Sequence, residues 1–183
     1  MDKSILLVLN MQEFFVNKNM LYPHIEDSIY ELMRSHVFDI VIGIGFREFK
    51  NTQYSKYLGW NVSAYGYSLD FAKGYERHFD YTLYRNNYDV VDKDLLSLLS
   101  MLNDGRFPDK VFICGMDITG SVIVTASSLF EFGIRPVVLS AFCASAKGSR
   151  YYEYGLNVLK ELIGEHQVRS VKTIDSSMKL LNM

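Results

Sequence analysis

Three polar side chains follow apolar, strand-like runs: Asn10 after "ILLVL", Arg85 after "YTLY" and Ser121 after "ICGMDITG". Open α/β sheets bind their ligands beyond the carboxyl ends of the strands, so residues at such positions are the first candidates for chemistry. A serine there is a nucleophile if a base lies beside it. An arginine holds planar anions through its fork of N–H donors. An asparagine donates and accepts hydrogen bonds but takes no proton near neutral pH. Each residue also has a purely structural explanation: Asn10 as the cap of a turn, Arg85 as a surface cation, and Ser121 as the cap of a helix carrying Val122, Val124 and Leu129.

Other chemical signals are weaker. "GIGFRE" (43–48) opens like a dinucleotide-binding glycine run, but Glu48 stands where the third glycine belongs and the run lies on the second strand. There is no G-x-S-x-G elbow and no P-loop. His24, His36, His78 and His166 stand apart, with no partner at ligand spacing, so neither a metal nor another cofactor is expected. Ser121 has no histidine nearby to act as its base, and Asp117 is the nearest carboxylate in sequence. Cys114 and Cys143 sit inside apolar runs and read as buried, reduced thiols.

The elements that must position these side chains alternate. "SILLVLN" (4–10), "FDIVIGIGF" (38–46), "KVFICG" (110–115) and "RPVVLSAF" (135–142) are continuous apolar runs, as expected of parallel strands covered on both faces, with a last strand expected at 168–174. Between them, "PHIEDSIYELMRSH" places Ile25, Ile29, Leu32 and Met33 on one helical stripe after Pro23. "DKDLLSLLSMLNDG" has Asp92 as N-cap and stops at Gly105, and two further periodic segments stop at Gly133 and Gly164. Strands alternating with helices predict an α/β fold: a three-layer αβα sandwich around a mainly parallel, doubly wound sheet of about six strands. The aromatic, aperiodic stretch 46–80 is expected to form a loop or lid over the strand ends.

The chain of 183 residues is read as one domain, 1–183, large enough to bury roughly 70% of its unfolded surface. A net charge of -2 with scattered Lys and Arg lacks the footprint of a nucleic-acid binder. The N-terminal apolar stretch is too short to span a membrane and no small-residue cleavage site follows it, so a cytoplasmic protein without a membrane partner is expected.

Ordered motifs over nearly the whole chain resemble the isochorismatase-like cysteine hydrolases, the superfamily of nicotinamidases, carbamoylsarcosine amidases and isochorismatases. "LLVLNMQEFF" is similar to the first-strand motif, with Asn10 at the catalytic aspartate position. "FREFKNTQYSKYLGW" (46–60) resembles the loop after the second strand, and "YRNNYDVV" (84–91) places Arg85 at the catalytic lysine and Tyr88 at a tyrosine. "CGMDITGSVIVTASSLFEFG" (114–133) resembles the longest motif, with Ser121 at the catalytic cysteine. The closing segment 141–164 puts Phe142 and Tyr152 at variable or histidine positions. The resemblance also implies a cis peptide at Met116–Asp117, N–H groups of Asp117 and Ser121 facing an oxyanion position, and a homo-oligomer.

All three triad positions differ from the family's, which argues against its hydrolysis. "GFREFKNTQY" offers only Glu48 where nicotinamidases carry metal ligands. The expectation is a non-catalytic or regulatory protein whose pocket, formed by Asn10, Arg85, Ser121 and Asp117 and walled by Phe15, Phe46, Trp60 and Tyr88, binds a small carboxylate or carboxamide. The alternative is a divergent hydrolase acting on C–N bonds of small amides or on a vinyl ether, through Ser121 or an activated water, with Asp117 as the candidate base.

Overall fold

The computed structural model describes residues 2–16, 25–62, 64 and 66–170. Six strands, β1 (Ile5–Leu9), β2 (Ile40–Phe46), β3 (Tyr81–Arg85), β4 (Lys110–Met116), β5 (Arg135–Ala144) and β6 (Val168–Arg169), form one sheet in the order β3-β2-β1-β4-β5-β6. Every neighbouring pair is parallel. One antiparallel bridge, Gln12 to Phe71, lies outside the strands. Of the strand expected at 168–174, Val168–Arg169 is formed and 171–174 lies outside the described residues, as do Pro23 and His24.

Alternation of side chains along the strands feeds two separate cores. Leu6, Val8, Phe112, Cys114, Val137 and Leu139 face one layer, where α2 (Ile25–Arg34) buries Ile25, Ile29, Leu32 and Met33, the stripe read from the sequence. Ile5, Leu7, Leu9, Ile113 and Val138 face the other. There α4 (Lys93–Leu102) contributes Leu95 and Leu99, α5 (Ile123–Glu131) Ala126 and Leu129, and α6 (Ser149–Ile163) Leu159 and Ile163. Asp92 caps α4 by accepting from the N–H groups of Asp94 and Leu95, at 3.0 Å each. Truncating a fully buried leucine such as Leu99 to alanine costs about 2–5 kcal/mol.

The stretch 46–80 is more ordered than its lack of period implies. It holds α3 (Gln53–Leu58), capped by Thr52 and ended by Gly59, and a 3₁₀ segment, Ala72–His78. Its aromatics make the order: Phe46, Phe49, Tyr54 and Trp60 pack on one another and on Phe14 and Phe15 of α1 (Glu13–Val16). The amide of Gln12, fully buried, ties this segment to the sheet. It donates to the carbonyls of Phe46 (2.8 Å) and Leu69 and accepts from the N–H of Phe46 (2.8 Å).

Candidate active-site cavity at the β1/β4 switch point

The strand order reverses between β1 and β4, and the crevice there is where a sheet of this kind places its ligands. Gly115 lets the two strands meet. Its φ is +111°, and a Cβ on it would lie 2.1 Å from the carbonyl oxygen of Leu9. Asn10 leaves β1 with φ 52° and donates its backbone N–H to Ile44 at 2.8 Å. After β4 the Met116–Asp117 peptide is cis. Asp117 then caps a wide turn, Ile118–Val122, that runs into α5. The helix cap is therefore Asp117, whose side chain accepts from Thr119, and not Ser121, which lies within the turn.

Asn10 and Ser121 are 3% and 1% exposed and touch each other. The Asn10 Nδ2 donates to the Met116 carbonyl at 2.8 Å and to Ser121 Oγ at 2.8 Å. A carbonyl oxygen only accepts, so the amide nitrogen is the end that faces it. That same nitrogen meets Ser121. The group where the resemblance puts a proton acceptor is thus a proton donor, and the Ser121 hydroxyl hydrogen is left to point elsewhere.

A cavity of about 200 Å³ opens beside this pair, walled by Phe14, Phe15, Trp60 and Tyr88 and floored by Asp117, Gly120 and Ser121. Gly120 passes close to the Tyr88 ring: a Cβ there would sit 3.1 Å from it, so the ring would have to give by a few tenths of an ångström. Burial pushes the Tyr88 phenol up to about 12, with Tyr54 and Asp117 adding to the effect, so it remains a neutral group at the cavity. Asp117 accepts through Oδ1 from the N–H (2.8 Å) and hydroxyl (2.7 Å) of Thr119. Its Oδ2 accepts from the Ala146 N–H at 2.8 Å and the Ser145 hydroxyl at 3.4 Å. Both carboxylate oxygens are therefore engaged away from Ser121.

Of the residues singled out in the sequence, Asn10, Phe15, Trp60, Tyr88, Asp117 and Ser121 line this cavity. Phe46 stands one layer behind, against Phe15, Trp60 and Tyr88. Arg85 does not line it. Its Nε lies 2.7 Å from Asp92 Oδ2, one terminal nitrogen donates to Asp92 Oδ1 at 3.1 Å, and the other donates to the Tyr84 carbonyl at 2.9 Å. The capping carboxylate of α4 holds the guanidinium aside. Lys147 does line the cavity, and no motif in the sequence singles it out. It sits in the β5–α6 loop, after the stretch where the β4–β5 register shifts between Ile113 and Gly115. Tyr152 turns away from the site and donates to the Ser140 carbonyl at 2.8 Å.

A wider cleft of about 800 Å³ beside α3, with Glu48, Lys50, Asn51, Asn61 and Tyr67 on its walls, shares Trp60 with this cavity but contains neither Asn10 nor Ser121. The smaller cavity is the better candidate because the switch point and the paired polar groups are there. Among the described residues no three His, Cys, Asp or Glu side chains are grouped to hold a metal ion.

Solved structures share this architecture over most of the chain. Nicotinamidase PncA from Bacillus subtilis superposes with a TM-score of 0.74 at 19% identity, covering 92% of this chain and 99% of that one. An isochorismatase-like hydrolase from Alkaliphilus metalliredigens gives 0.69 at 22% identity, covering 87% and 92%. The chain has the isochorismatase-like fold. PnC1 from L. infantum, solved in complex with nicotinate, gives 0.66 at 15% identity, covering 92% and 96%. No protein-family model matches the chain, and no curated protein does. Identities this low carry the isochorismatase-like architecture and leave the chemistry to be argued from the site.

Proposed function

We propose that this protein binds a small planar carboxylate or carboxamide in the Asn10–Ser121 cavity and does not carry out the hydrolysis that a cysteine, aspartate and lysine would perform there. One observation carries the reading: Asn10 presents its amide nitrogen to Ser121 Oγ at 2.8 Å, so the buried serine has a donor where a nucleophile needs a base. Supporting it are the engagement of Asp117 by Thr119, Ser145 and Ala146, and the pairing of Arg85 with Asp92. Cavity size points to a single-ring or short-chain compound, since about 200 Å³ is below the ~300–1,000 Å³ of drug-sized sites. The aromatic walls favour a flat molecule. That a neighbour of the same fold is solved with nicotinate supports a ring carboxylate.

Titration of the purified chain with small aromatic carboxylates and amides, beside a turnover panel of amides, ureas and vinyl ethers, tests this. The expected result is saturable binding without turnover. Turnover that disappears in a Ser121→Ala protein would establish the divergent-hydrolase reading in its place. The triple variant Ser121→Cys, Asn10→Asp, Arg85→Lys is expected to gain hydrolysis only if the introduced lysine leaves Asp92. Arg85→Ala alone is expected to leave ligand affinity within about twofold, since the guanidinium is committed outside the cavity.

A further inference from the structure

We propose that Lys147 is the cation that recognises the ligand's carboxylate, so that the cavity prefers a planar carboxylate to the carboxamide of the same shape. The inference rests on the binding reading above and goes beyond it by naming the charged group and the preference it creates.

Among the described residues, two formally charged side chains line the cavity, Asp117 and Lys147. They are held very differently. Asp117 receives hydrogen bonds on both oxygens, from Thr119 on one and from Ser145 and Ala146 on the other. Lys147 is exposed, its ammonium lies 5.4 Å from the centroid of the Tyr151 ring, and among the described residues it forms no ion pair. The negative charge in the site is thus spread over donors, while the positive charge rests on a weak aromatic contact that a ligand can replace.

The backbone from which Lys147 springs is fixed to the same turn that carries Ser121. Ala146 donates to Asp117 at 2.8 Å, Lys147 to Ser145 Oγ at 3.2 Å and Gly148 to the Ser145 carbonyl at 3.1 Å. A rigid base with a mobile four-carbon stem delivers a point charge to the cavity mouth without reorganising the floor. Ser121 supplies the complementary donor, because its oxygen accepts from Asn10 and its hydrogen is unspent there. One carboxylate oxygen then meets the ammonium and the other the hydroxyl. A carboxamide places its carbonyl oxygen on the ammonium and its N–H₂ on the second lone pair of Ser121 Oγ, but it brings no negative charge to Lys147, and the preference rests on that charge.

Trp60, the sole tryptophan of the chain, lines both this cavity and the wider cleft, so its fluorescence reports binding and the Lys147 variants tell which of the two is filled. The test is a Trp60 fluorescence titration with benzoate and with benzamide, at low and at high salt, on the wild-type chain and on Lys147→Met and Lys147→Arg. The wild type is expected to bind benzoate more tightly, and salt to weaken benzoate alone. Lys147→Met is expected to lose about three- to tenfold in benzoate affinity and less than about twofold for benzamide, with Lys147→Arg keeping the preference. An unchanged benzoate affinity in Lys147→Met, or equal losses for both compounds, overturns the Lys147 assignment while leaving the binding reading in place. A wild-type protein that binds neither compound overturns the binding reading and this inference with it.

Discussion

The Met116 carbonyl decides how Asn10 is used. Because that oxygen only accepts, the Asn10 nitrogen is committed to it and to Ser121, each at 2.8 Å. Replacing Asn10 by aspartate sets a carboxylate oxygen against a carbonyl oxygen in a buried site. The variant is expected to be less stable at pH 7 by about 1–3 kcal/mol and to recover as the pH falls, because the buried carboxyl is protonated above its unfolded-state value. Urea unfolding at pH 4 and pH 7 checks both halves, and equal stability to wild type at pH 7 would falsify the donor assignment. At this scale the sequence was legible where position alone mattered. Asn10 and Ser121 follow strands, and strand ends converge. It was not legible where a side chain had a choice of partners: Arg85 had Asp92 seven residues away in the chain, and only the geometry of β3 and α4 shows that the pair closes.

Among the elements, α2 follows from its apolar period and α4, α5 and α6 from period and glycine stops, since each is long enough to display a stripe. The six-residue α3 displays none, and its place is set by rings from elsewhere, including Tyr88, 5.0 Å from Tyr54. Gln12 governs whether this aromatic segment stays on the sheet. Its amide serves three backbone groups, on Phe46 and Leu69. Gln12→Leu keeps the volume and removes all three, which is expected to cost about 2–4 kcal/mol and to speed proteolytic cleavage within 47–70. Limited proteolysis beside urea unfolding separates the local effect from the global one. A drop in stability with unchanged cleavage order would mean that the rings, with the backbone bonds of Glu13, Phe14 and Ala72, hold the segment without Gln12.

For the whole molecule, burial keeps both thiols neutral: Cys114 is raised well above its ordinary value and Cys143 is pushed up to about 12. A thiol held neutral in the fold contributes stability that is complete below the unfolded-state value near 9 and is lost as the pH rises toward 12. Urea midpoints are therefore expected to be level up to about pH 9 and to fall above it, less steeply in Cys143→Ala, and neither thiol should react with a disulfide reagent at neutral pH until the chain unfolds. On the outer face of α6, Tyr151, Tyr154, Val158 and Leu162 form an exposed apolar stripe, 43–50% accessible. This stripe supports the expected homo-oligomer. Light scattering is expected to give more than the monomer mass of 21.1 kDa, with Val158→Glu shifting it down. No described helix is long and apolar enough to cross a membrane.

The strand order also has a consequence in time. β1 pairs with β2 within the first 46 residues, yet its other edge waits for Phe112–Gly115, and Ser121 comes 111 positions after Asn10. During synthesis the early half-sheet carries a bare, fully apolar edge until β4 leaves the ribosome. The cavity straddles that seam. A molecule seated between Asn10 and Ser121 touches both halves of the chain and opposes their separation, so ligand would act on this protein as a late fastener, slowing hydrogen exchange first at the β1–β4 ladder.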